Sequence, residues 1–362
     1  MNLKNKIVFL TLDITLVGGV ERMLANLTKY LSNETNYNVE IYSFFKSHTT
    51  PQFNFDYVNI KYLTHSKFSL INLSKSLKSY FSILFSILFL KTKNNEIYVS
   101  TFPNISVLFL LFKRNKNLII TEHAEFNAHN IYFNLFRKQI YRKAKIITVL
   151  TKNQKDIFDQ FCNPEIVYVV PNPISKQTLQ CNRSNNYIIT VGRLVEVKGF
   201  EYFINAISIL SKDFPDISAY IIGDGPEFIR LNNLIKSLNL GKNLKIINNE
   251  TDIYKYLIKS SVFVVTSITE SFGMAILESL SVGLPVVAFD AGDGPKNLIQ
   301  NEYNGYLVPF GNIDLLTNKI KYIYTSDKDD WNTFSKNALL SSKCFEVSNV
   351  INKWNIIFNN FV

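Results

Sequence analysis

Two glutamates separated by seven residues, Glu270 and Glu278, are spaced to hold the two ends of one extended polar ligand. The apolar run Val262–Thr266 before them predicts a buried strand, and Ala275–Ser281 predicts a helix that Gly283 would end. Glu270 would then lie at the carboxyl end of a strand. Glu278 would lie about two turns further on, roughly 12 Å away at 1.5 Å per residue.

The segment between the two glutamates supplies backbone donors at the start of that helix. The amides of Phe272, Gly273 and Met274 have no acceptor in a preceding helical turn, so they form a ready site for an anion. A ligand with hydroxyls at both ends and phosphates in the middle fits this order, and a nucleotide-sugar is such a ligand. Taken alone, the two glutamates have an equally good alternative interpretation. Glu270 would be a charge at the start of a helix, and Glu278 would be a solvated helical side chain.

Two cations follow the strand-like run Tyr187–Val191, on a loop that leads into a helical pattern reaching Leu210. Arg193 and Lys198 stand five residues apart on this loop. Such a pair can hold a diphosphate, the guanidinium as a fork and the ammonium as a point charge. The alternative is two plain surface cations.

A further loop carries Gly223, Asp224 and Gly225 directly after the strand-like run Ala219–Ile222. Glycines at such a turn let the backbone approach a base or a ribose closely. An ordinary turn between a strand and a helix is the alternative, because a lone Gly-x-Gly motif is weak evidence.

These motifs, in this order and spacing, resemble those of family 4 of the retaining glycosyltransferases, which transfer a sugar from a nucleotide-sugar. The resemblance rests on Gly192–Gly199, Gly223–Gly225 and Glu270–Glu278, and Val170–Pro173 resembles the segment that enters the second domain of these enzymes. It covers nearly the whole chain. It implies the α/β fold called GT-B, in which two doubly wound Rossmann-like domains face a central cleft and a C-terminal helix crosses back to the first domain.

The resemblance also implies roles for residues in the second half of the chain. Glu270 would bind hydroxyls of the transferred sugar, Glu278 would bind the ribose, and Arg193 with Lys198 would hold the diphosphate. Because cations and helix ends hold the diphosphate in this family, no divalent metal and no other cofactor is expected. The Asp-x-Asp pattern at 327–329 is interpreted as a surface turn and not as a metal site.

Two features of the first half match the same family. Gly18 and Gly19, between a strand at Lys6–Leu12 and a helix from about Arg22 to Leu31, match a glycine-rich loop that approaches the donor phosphate. His123 matches a histidine that lies near the transferred sugar. A satisfied histidine at a strand end is the alternative for His123.

Length and pattern are consistent with two domains. The 362 residues are 47% hydrophobic, and apolar strand-like runs alternate with amphipathic helical runs, which indicates parallel sheets. Prolines and a polar stretch place the hinge between Val170 and Arg183. We predict an N-terminal acceptor-binding domain at 1–172, completed by a C-terminal helix at 346–362, and a nucleotide-sugar-binding domain at 173–345.

All of the excess positive charge lies in the first half. The net charge is +10, and residues 1–170 contain 21 Lys and Arg against 11 Asp and Glu. The apolar run Tyr80–Leu90 is too short to span a bilayer. Lysines flank this run on both sides, namely Lys67, Lys75, Lys78, Lys91 and Lys93. A second basic cluster comprises Arg137, Lys138, Arg142, Lys143 and Lys145. The pattern predicts docking on an anionic membrane surface, and the alternative is a buried helix with solvated lysines at its ends.

Other partners and compartments are constrained less directly. No nucleic-acid-binding module accompanies the basic residues, so we expect no nucleic-acid partner. The scattered Cys162, Cys181 and Cys344 argue against a disulfide framework and favour a reducing cytoplasm. The start of the chain shows no signal peptide. We expect a cytoplasmic protein that is peripheral on the inner face of the cell membrane.

The sequence therefore predicts a hexosyltransferase that moves a hexose or N-acetylhexosamine from a nucleotide-sugar, foremost a UDP-sugar, to a glycan acceptor. The basic, apolar first half favours a polyprenyl-diphosphate-linked acceptor in bacterial polysaccharide or glycan biosynthesis. Two other classes stay open. One is a nucleotide-sugar epimerase or inverting transferase on the same fold, and the other is a non-catalytic nucleotide-sugar-binding subunit. The presence of Glu270, Arg193 and Lys198 argues against the last.

Overall fold

In a computed structural model, the chain is described over residues 6–35, 37–64, 73–113, 117–250 and 252–361, and for residues 73–77 only the backbone is described. Two compact units emerge. The first comprises Met1–Pro173 together with Val347–Val362, and the second comprises Ile174–Glu346.

The strands divide between the two units. They are β1 (Lys6–Thr11), β2 (Asn38–Ser43), β3 (Asn59–Tyr62), β4 (Glu96–Ser100), β5 (Leu118–Glu122), β6 (Ile146–Val149), β7 (Val167–Val169), β8 (Tyr187–Val191), β9 (Ala219–Ile222), β10 (Leu244–Ile247), β11 (Ser260–Val265), β12 (Val286–Phe289) and β13 (Gly305–Val308).

Helices alternate with these strands along the chain. They are α1 (Gly19–Glu34), α2 (Leu73–Phe89), α3 (Pro103–Phe112), α4 (Ile131–Tyr141), α5 (Lys152–Asp159), α6 (Phe200–Asp213), α7 (Phe228–Ser237), α8 (Tyr254–Leu257), α9 (Met274–Ser281), α10 (Asp293–Leu298), α11 (Ile313–Thr325), α12 (Lys328–Ser342) and α13 (Val347–Asn359). Short 3-10 turns lie at Phe126–Ala128, Pro164–Ile166, Glu196–Lys198 and Lys343–Phe345.

Each unit contains one parallel sheet whose strand order reverses near its centre. The first sheet has the order β3-β2-β1-β4-β5-β6-β7, and the second has the order β10-β9-β8-β11-β12-β13. Parallel neighbours require crossover connections, which the helices supply. The order reverses between β1 and β4 in the first unit and between β8 and β11 in the second. Ligands of such doubly wound sheets bind beyond the carboxyl ends of the strands at these reversals.

The first sheet is covered on both faces, because successive strand residues point to opposite sides. Val8 and Leu10 of β1 belong to one core, which α2, α3 and α4 complete. Ile7 and Phe9 belong to the other core, which α1 and α13 complete. Both faces of these strands are therefore apolar, as the near-continuous hydrophobic runs in the sequence indicate.

Helix α13 belongs to the first unit although it follows the second unit in sequence. Its buried side chains Ile351, Trp354 and Phe358 lie in the same core as β1. Lys353 Nζ also donates a hydrogen bond to the carbonyl of Val169, at 3.2 Å.

The predicted fold class is confirmed: both units are doubly wound, parallel α/β domains of the Rossmann-like type. Element bounds differ in detail. The first strand ends at Thr11, and α1 begins at Gly19 and not near Arg22, since Gly18 already occupies the N-cap position. The apolar run Tyr80–Leu90 forms the C-terminal part of the longer helix α2, except for Leu90, which follows the end of the helix. Within the described ranges, no helix has both the length and the hydropathy needed to cross a membrane.

Candidate active site

The centre of the second sheet brings together the loops predicted to bind the donor. Strands β8 and β11 are parallel neighbours, so the segments that follow them, Gly192–Gly199 and Thr266–Gly273, leave the sheet at the same edge. Residues 72 positions apart in sequence thus become neighbours. The Lys198 ammonium forms an ion pair with the Glu270 carboxylate, and both side chains are about three-quarters or more buried.

Backbone contacts hold these two loops together. Ile268 N donates to the carbonyl of Val197 at 2.8 Å, and Thr266 Oγ1 donates to the carbonyl of Lys198 at 3.2 Å. Gly199 has a φ of +58°, and a Cβ there would overlap the carbonyl oxygen of Thr266. Only glycine fits this approach, because a side chain would separate the loops that carry Lys198 and Glu270.

The segment after β12 also holds the backbone of Glu270. Its amide donates to the carbonyl of Ala291 at 3.1 Å, and its carbonyl accepts from the amide of Gly294 at 2.9 Å. Ser267 Oγ lies 3.4 Å from Glu270 Oε2. The segment that follows β12 therefore fixes the backbone of Glu270, while its side chain is held by Lys198.

Arg193 differs from Lys198 in having an exposed side chain. Among the residues that the structure describes, no carboxylate pairs with its guanidinium. The same loop thus offers one cation engaged by a carboxylate and one cation open to a ligand.

The start of α9 presents unsatisfied backbone donors. Gly273 occupies the N-cap position with a φ of +87°, and it provides no side-chain cap. In the described parts of the chain, the amides of Phe272, Gly273 and Met274 donate no hydrogen bond. These donors lie a few residues after Glu270, so one anionic group could use both the helix terminus and the neighbouring cations.

Glu278 lies on α9 in a different setting from the one the sequence suggests. The helix begins at Met274, so Glu278 is about one turn along it rather than two. Its side chain is buried, with only 2% of the residue exposed, which excludes a solvated helical glutamate.

The loop at Gly223–Gly225 is built for backbone packing. A Cβ at Gly223 would overlap the carbonyl of Gly192, and a Cβ at Gly225 would overlap the carbonyl of Leu194. Both glycines have φ near +157°. Both glycines are needed for close contact with the loop that carries Arg193, and their contact with a base or ribose stays a prediction.

Asp224 supports a neighbouring loop in the same way. Its two carboxylate oxygens lie 3.1 and 2.9 Å from the amide of Asn249, and its carbonyl accepts from the amide of Leu194 at 2.8 Å. Its carboxylate therefore already has a partner in the absence of any ligand.

In the first unit, the glycine-rich loop follows β1 and leads into α1. Gly18 is the N-cap residue, and a Glu21 carboxylate oxygen lies 2.5 Å from the place a Cβ would take at Gly18. Gly18 thus leaves room for a buried carboxylate over the start of α1, while Gly19 is exposed. A negative charge here is favourable for the helix dipole, and it would compete with a donor phosphate for the same amides.

Asp13 fixes the beginning of this loop, although the sequence analysis did not single it out. The fully buried carboxylate accepts from Thr15 Oγ1 at 2.6 Å and from the amide of Ser47 at 2.8 Å. An Asp two residues before a Thr at a strand end is a signal for such a local turn, and it could have been found from sequence.

His123 directly follows β5. Its Nε2 lies 3.2 Å from Thr121 Oγ1, and its buried Nδ1 has no hydrogen-bond partner among the described residues. Burial lowers the pKa of His123 to about 4, and the nearby Asn172 side chain acts in the opposite direction. The imidazole is therefore neutral near pH 7.

A buried charge network lies beside His123. Arg137 NH1 and Glu122 Oε2 are 3.2 Å apart, and Tyr141 OH donates to Glu122 Oε1 at 2.6 Å. Arg137 NH2 also donates to the carbonyl of Phe126 at 3.0 Å, so it ties both ends of the loop that carries His123. Burial raises the pKa of Glu122, and the positive charge of Arg137 opposes that shift.

The assignment of Arg137 to an exposed basic cluster is therefore wrong. Its side chain is fully buried, because it pairs with a carboxylate on the preceding strand and its guanidinium lies 4.2 Å from the ring centroid of Phe126. Asp327 is exposed between α11 and α12, which agrees with its interpretation as a surface turn, and it also caps α12 by accepting from the amides of Asp329 and Asp330.

Family models match both halves of the chain. The model described as Glycosyltransferase Family 4 matches residues 17–177, and the model described as Glycosyl transferases group 1 matches residues 172–339. The chain is 27% identical over 368 residues to an uncharacterized glycosyltransferase of Haemophilus influenzae, covering 96% of this chain and 98% of the relative. It is 26% identical to the amylovoran biosynthesis glycosyltransferase AmsD of Erwinia amylovora, covering 98% of this chain and 99% of the relative.

A solved structure shares the fold of this chain over nearly the whole length of both proteins. Alr3699/HepE of Anabaena, crystallised with UDP-glucose, matches with a TM-score of 0.77 and 19% identity, covering 98% of this chain and 99% of that one. This similarity extends the GT-B description to the complete chain.

Replacing Arg137 by leucine is expected to lower the free energy of unfolding by about 3–5 kcal/mol, because Glu122 would keep a buried charge without its partner. The double replacement of Glu122 and Arg137 by leucine should cost less than Arg137→Leu, since no buried charge then remains. Urea unfolding would measure both. Arg142→Leu at the C-cap of the same helix is the matched control, because Arg142 is exposed and its replacement should change stability by less than about 0.5 kcal/mol. Equal effects of Arg137→Leu and Arg142→Leu would contradict the buried network.

Proposed function

Because this chain belongs to family 4 of the glycosyltransferases, with the GT-B fold, we propose that it transfers a hexose or N-acetylhexosamine from a UDP-sugar to a glycan acceptor with retention of anomeric configuration. It is a nucleotide-sugar-dependent transferase of bacterial polysaccharide biosynthesis. The observation that carries the proposal is the meeting of Lys198, Glu270 and the uncapped start of α9 at the reversal of the second sheet. The UDP-glucose bound by the Anabaena protein supports UDP as the nucleotide.

The donor diphosphate is assigned to Arg193, Lys198 and the first amides of α9. An arriving diphosphate competes with Glu270 for the Lys198 ammonium, so the existing ion pair is exchanged for a contact with phosphate. Glu270 then becomes available to accept hydrogen bonds from hydroxyls of the transferred sugar. Glu278, buried further along α9, is assigned to the ribose hydroxyls.

The chemical step separates charge, and the groups that bind the diphosphate also stabilise the negative charge that develops on the leaving group. As the bond from the anomeric carbon to the phosphate oxygen breaks, negative charge accumulates on the departing UDP, next to two cations and a helix N-terminus. The acceptor hydroxyl forms the new bond on the same face of the sugar, and its proton passes to the leaving phosphate oxygen. His123 is neutral near pH 7, so it serves as a hydrogen-bonding group near the sugar and not as a fixed charge. We assign the loop at Gly18 and Gly19, of which Gly19 is exposed, to the donor phosphate as well.

No divalent metal is needed in this proposal, because Arg193 and Lys198 supply the positive charge that a metal would otherwise supply. The acceptor is a polyprenyl-diphosphate-linked glycan, and the enzyme acts at the inner face of the cell membrane. The basic first unit supports this choice, with Lys78, Lys91 and Lys93 exposed around the apolar part of α2. Lys67 lies outside the described residues, as does the side chain of Lys75.

A screen of nucleotide-sugars tests the donor class. A ligand that binds only the folded protein raises the melting temperature, by an amount equivalent to about 2.7 kcal/mol at a hundred times its Kd. UDP-sugars should protect the protein in the presence of EDTA, whereas ADP- and GDP-sugars should not. The protecting donor is then incubated with a lipid-linked acceptor. Donor epimerisation or hydrolysis without transfer would contradict the assignment, and protection without any turnover would indicate a binding subunit.

Removing either cation tests the phosphate site. Arg193→Ala and Lys198→Ala should each lower kcat/KM by the equivalent of roughly 2–4 kcal/mol, because each removes a preorganised charge that faces the leaving group. Lys236→Ala is a matched control on an exposed helical position of the same unit. Near-normal transfer in both test variants, measured by UDP release, would reject this placement of the donor.

Replacing each of the two glutamates should affect a different quantity, either the affinity for UDP or kcat. Glu278→Gln should weaken binding of free UDP, because ribose contacts are the same in the ground and transition states. Glu270→Gln should lower kcat while the affinity for UDP is kept or increased, since the Lys198 ammonium loses its carboxylate partner. Calorimetric titration with UDP and turnover measurements would distinguish the two. An equal loss of UDP affinity in both variants would contradict the assignment of separate ends.

A further inference from the structure

Three consecutive helices of the first unit expose an unusual number of large apolar side chains. Of the 21 exposed large hydrophobic residues in the described parts of the chain, eleven lie on α2, α3 and α4. We call these residues the aromatic face: Tyr80, Phe81, Phe85, Leu88, Phe89, Leu111, Phe112, Ile131, Tyr132, Leu135 and Phe136. Scattered surface hydrophobics are ordinary, but a concentration on neighbouring elements indicates an interaction surface.

The helices that carry these exposed side chains also bury a separate set of apolar side chains in the core. On α2, Ile83 and Ile87 are buried against the sheet, while Phe85 and Phe89 point away from it and are 55% and 79% exposed. On α4, Ile140 is buried, whereas Tyr132 is 82% exposed. A helix that is apolar on more than one side is typical of a helix with a second apolar environment.

The three helices form one continuous surface. Helix α3 contacts both α2 and α4, and its last turn carries the exposed Leu111 and Phe112. Lys113 Nζ donates to the carbonyl of Leu88 at 3.0 Å and joins the end of α3 to the end of α2. The rings of Phe85 and Phe89 are stacked with centroids 6.4 Å apart.

The charged side chains on the three helices have a single sign. The sequences of α2, α3 and α4 contain no Asp and no Glu. Exposed cations flank the helices, namely Lys78, Lys91, Lys93, Arg142 and Lys143. A second copy of this chain seated on the face by a two-fold axis would bring like charges together, which is unfavourable. An anionic lipid surface satisfies both the apolar residues and the cations.

We propose that the aromatic face inserts into the boundary between headgroups and acyl chains of an anionic bilayer, with α4 as deeply placed as α2. This inference rests on the proposed function in one respect: a lipid-linked acceptor gives the enzyme a reason to bind a membrane. It adds hydrophobic insertion to the electrostatic attraction of the lysines, and it assigns α4 a role that the position of the Tyr80–Leu90 run alone does not indicate.

The test compares vesicle binding of matched serine variants. Tyr132→Ser combined with Phe136→Ser should lower the partition of the protein onto vesicles of phosphatidylcholine and phosphatidylglycerol by about tenfold or more, since two aromatic side chains lose their apolar contact. Ile229→Ser combined with Ile356→Ser is the control, because these residues are 72% and 62% exposed but lie outside the aromatic face. The control should bind like the unaltered protein.

Two further measurements separate insertion from attraction. Raising the salt from about 0.1 to 1 M shortens the screening length from about 10 to 3 Å, so the lysine contribution should fall while a residual affinity that depends on Tyr132 and Phe136 remains. A Phe136→Trp variant should show a blue shift on vesicle addition and quenching by brominated acyl chains. Native Trp331 and Trp354 are buried and should not respond.

The outcomes distinguish this proposal from the proposed function. Equal vesicle binding by the serine variant and its control would overturn the aromatic face as a lipid site. A lipid-free dimer that dissociates on the Tyr132 and Phe136 replacements would overturn it in favour of a second copy. Transfer to a soluble acceptor analogue should be unchanged in the serine variant. If the unaltered protein transferred sugar from none of the donors, the proposed function would be rejected. Lipid insertion would still hold.

Discussion

The ion pair between Lys198 and Glu270 depends on one constraint, namely that β8 and β11 are parallel neighbours at the reversal of the second sheet. Parallel pairing sends both following loops to one edge, and reversal of the strand order leaves a gap between the helices there. Lys198 on one loop and the Glu270 carboxylate on the other are thereby brought into contact. The start of α9, whose amides are uncapped, continues from the second loop. The geometry of the candidate site thus follows from the sheet.

Three βα loops of the second unit support one another through backbone contacts that only glycine allows. Gly199 packs on Thr266, and Gly223 and Gly225 pack on the loop that contains Arg193. These contacts are made between protein atoms alone, so they fix the form of the loops. A preorganised loop has little conformational entropy to lose when it binds an anion. The glycines of the motif fix the loop that carries Arg193 and Lys198.

Local patterns predicted the parts of this protein that depend on neighbouring residues in sequence. Apolar runs followed by glycine-rich loops located β8, β9 and β11, and the resemblance to family 4 is confirmed. Contacts between distant residues could not be predicted in this way. Arg137 was grouped with surface cations because its partner Glu122 lies on the preceding strand, and the Lys198–Glu270 pair spans 72 positions. The exposed side of α4 was also missed, because a short apolar run does not reveal which of its residues the sheet will cover. The roles of the site residues stay predictions.

Helix α13 has a consequence for the synthesis of the protein. The second unit is inserted in the first, since the chain leaves the first unit after Pro173 and returns to it at Val347. Trp354 and Phe358 complete a core that also contains β1, which is translated long before them. A nascent chain therefore finishes the inserted unit while one sheet face of the earlier unit is covered by α1 but not yet by α13. The uncovered part of that face stays open to chaperones, or to aggregation, until α13 leaves the ribosome.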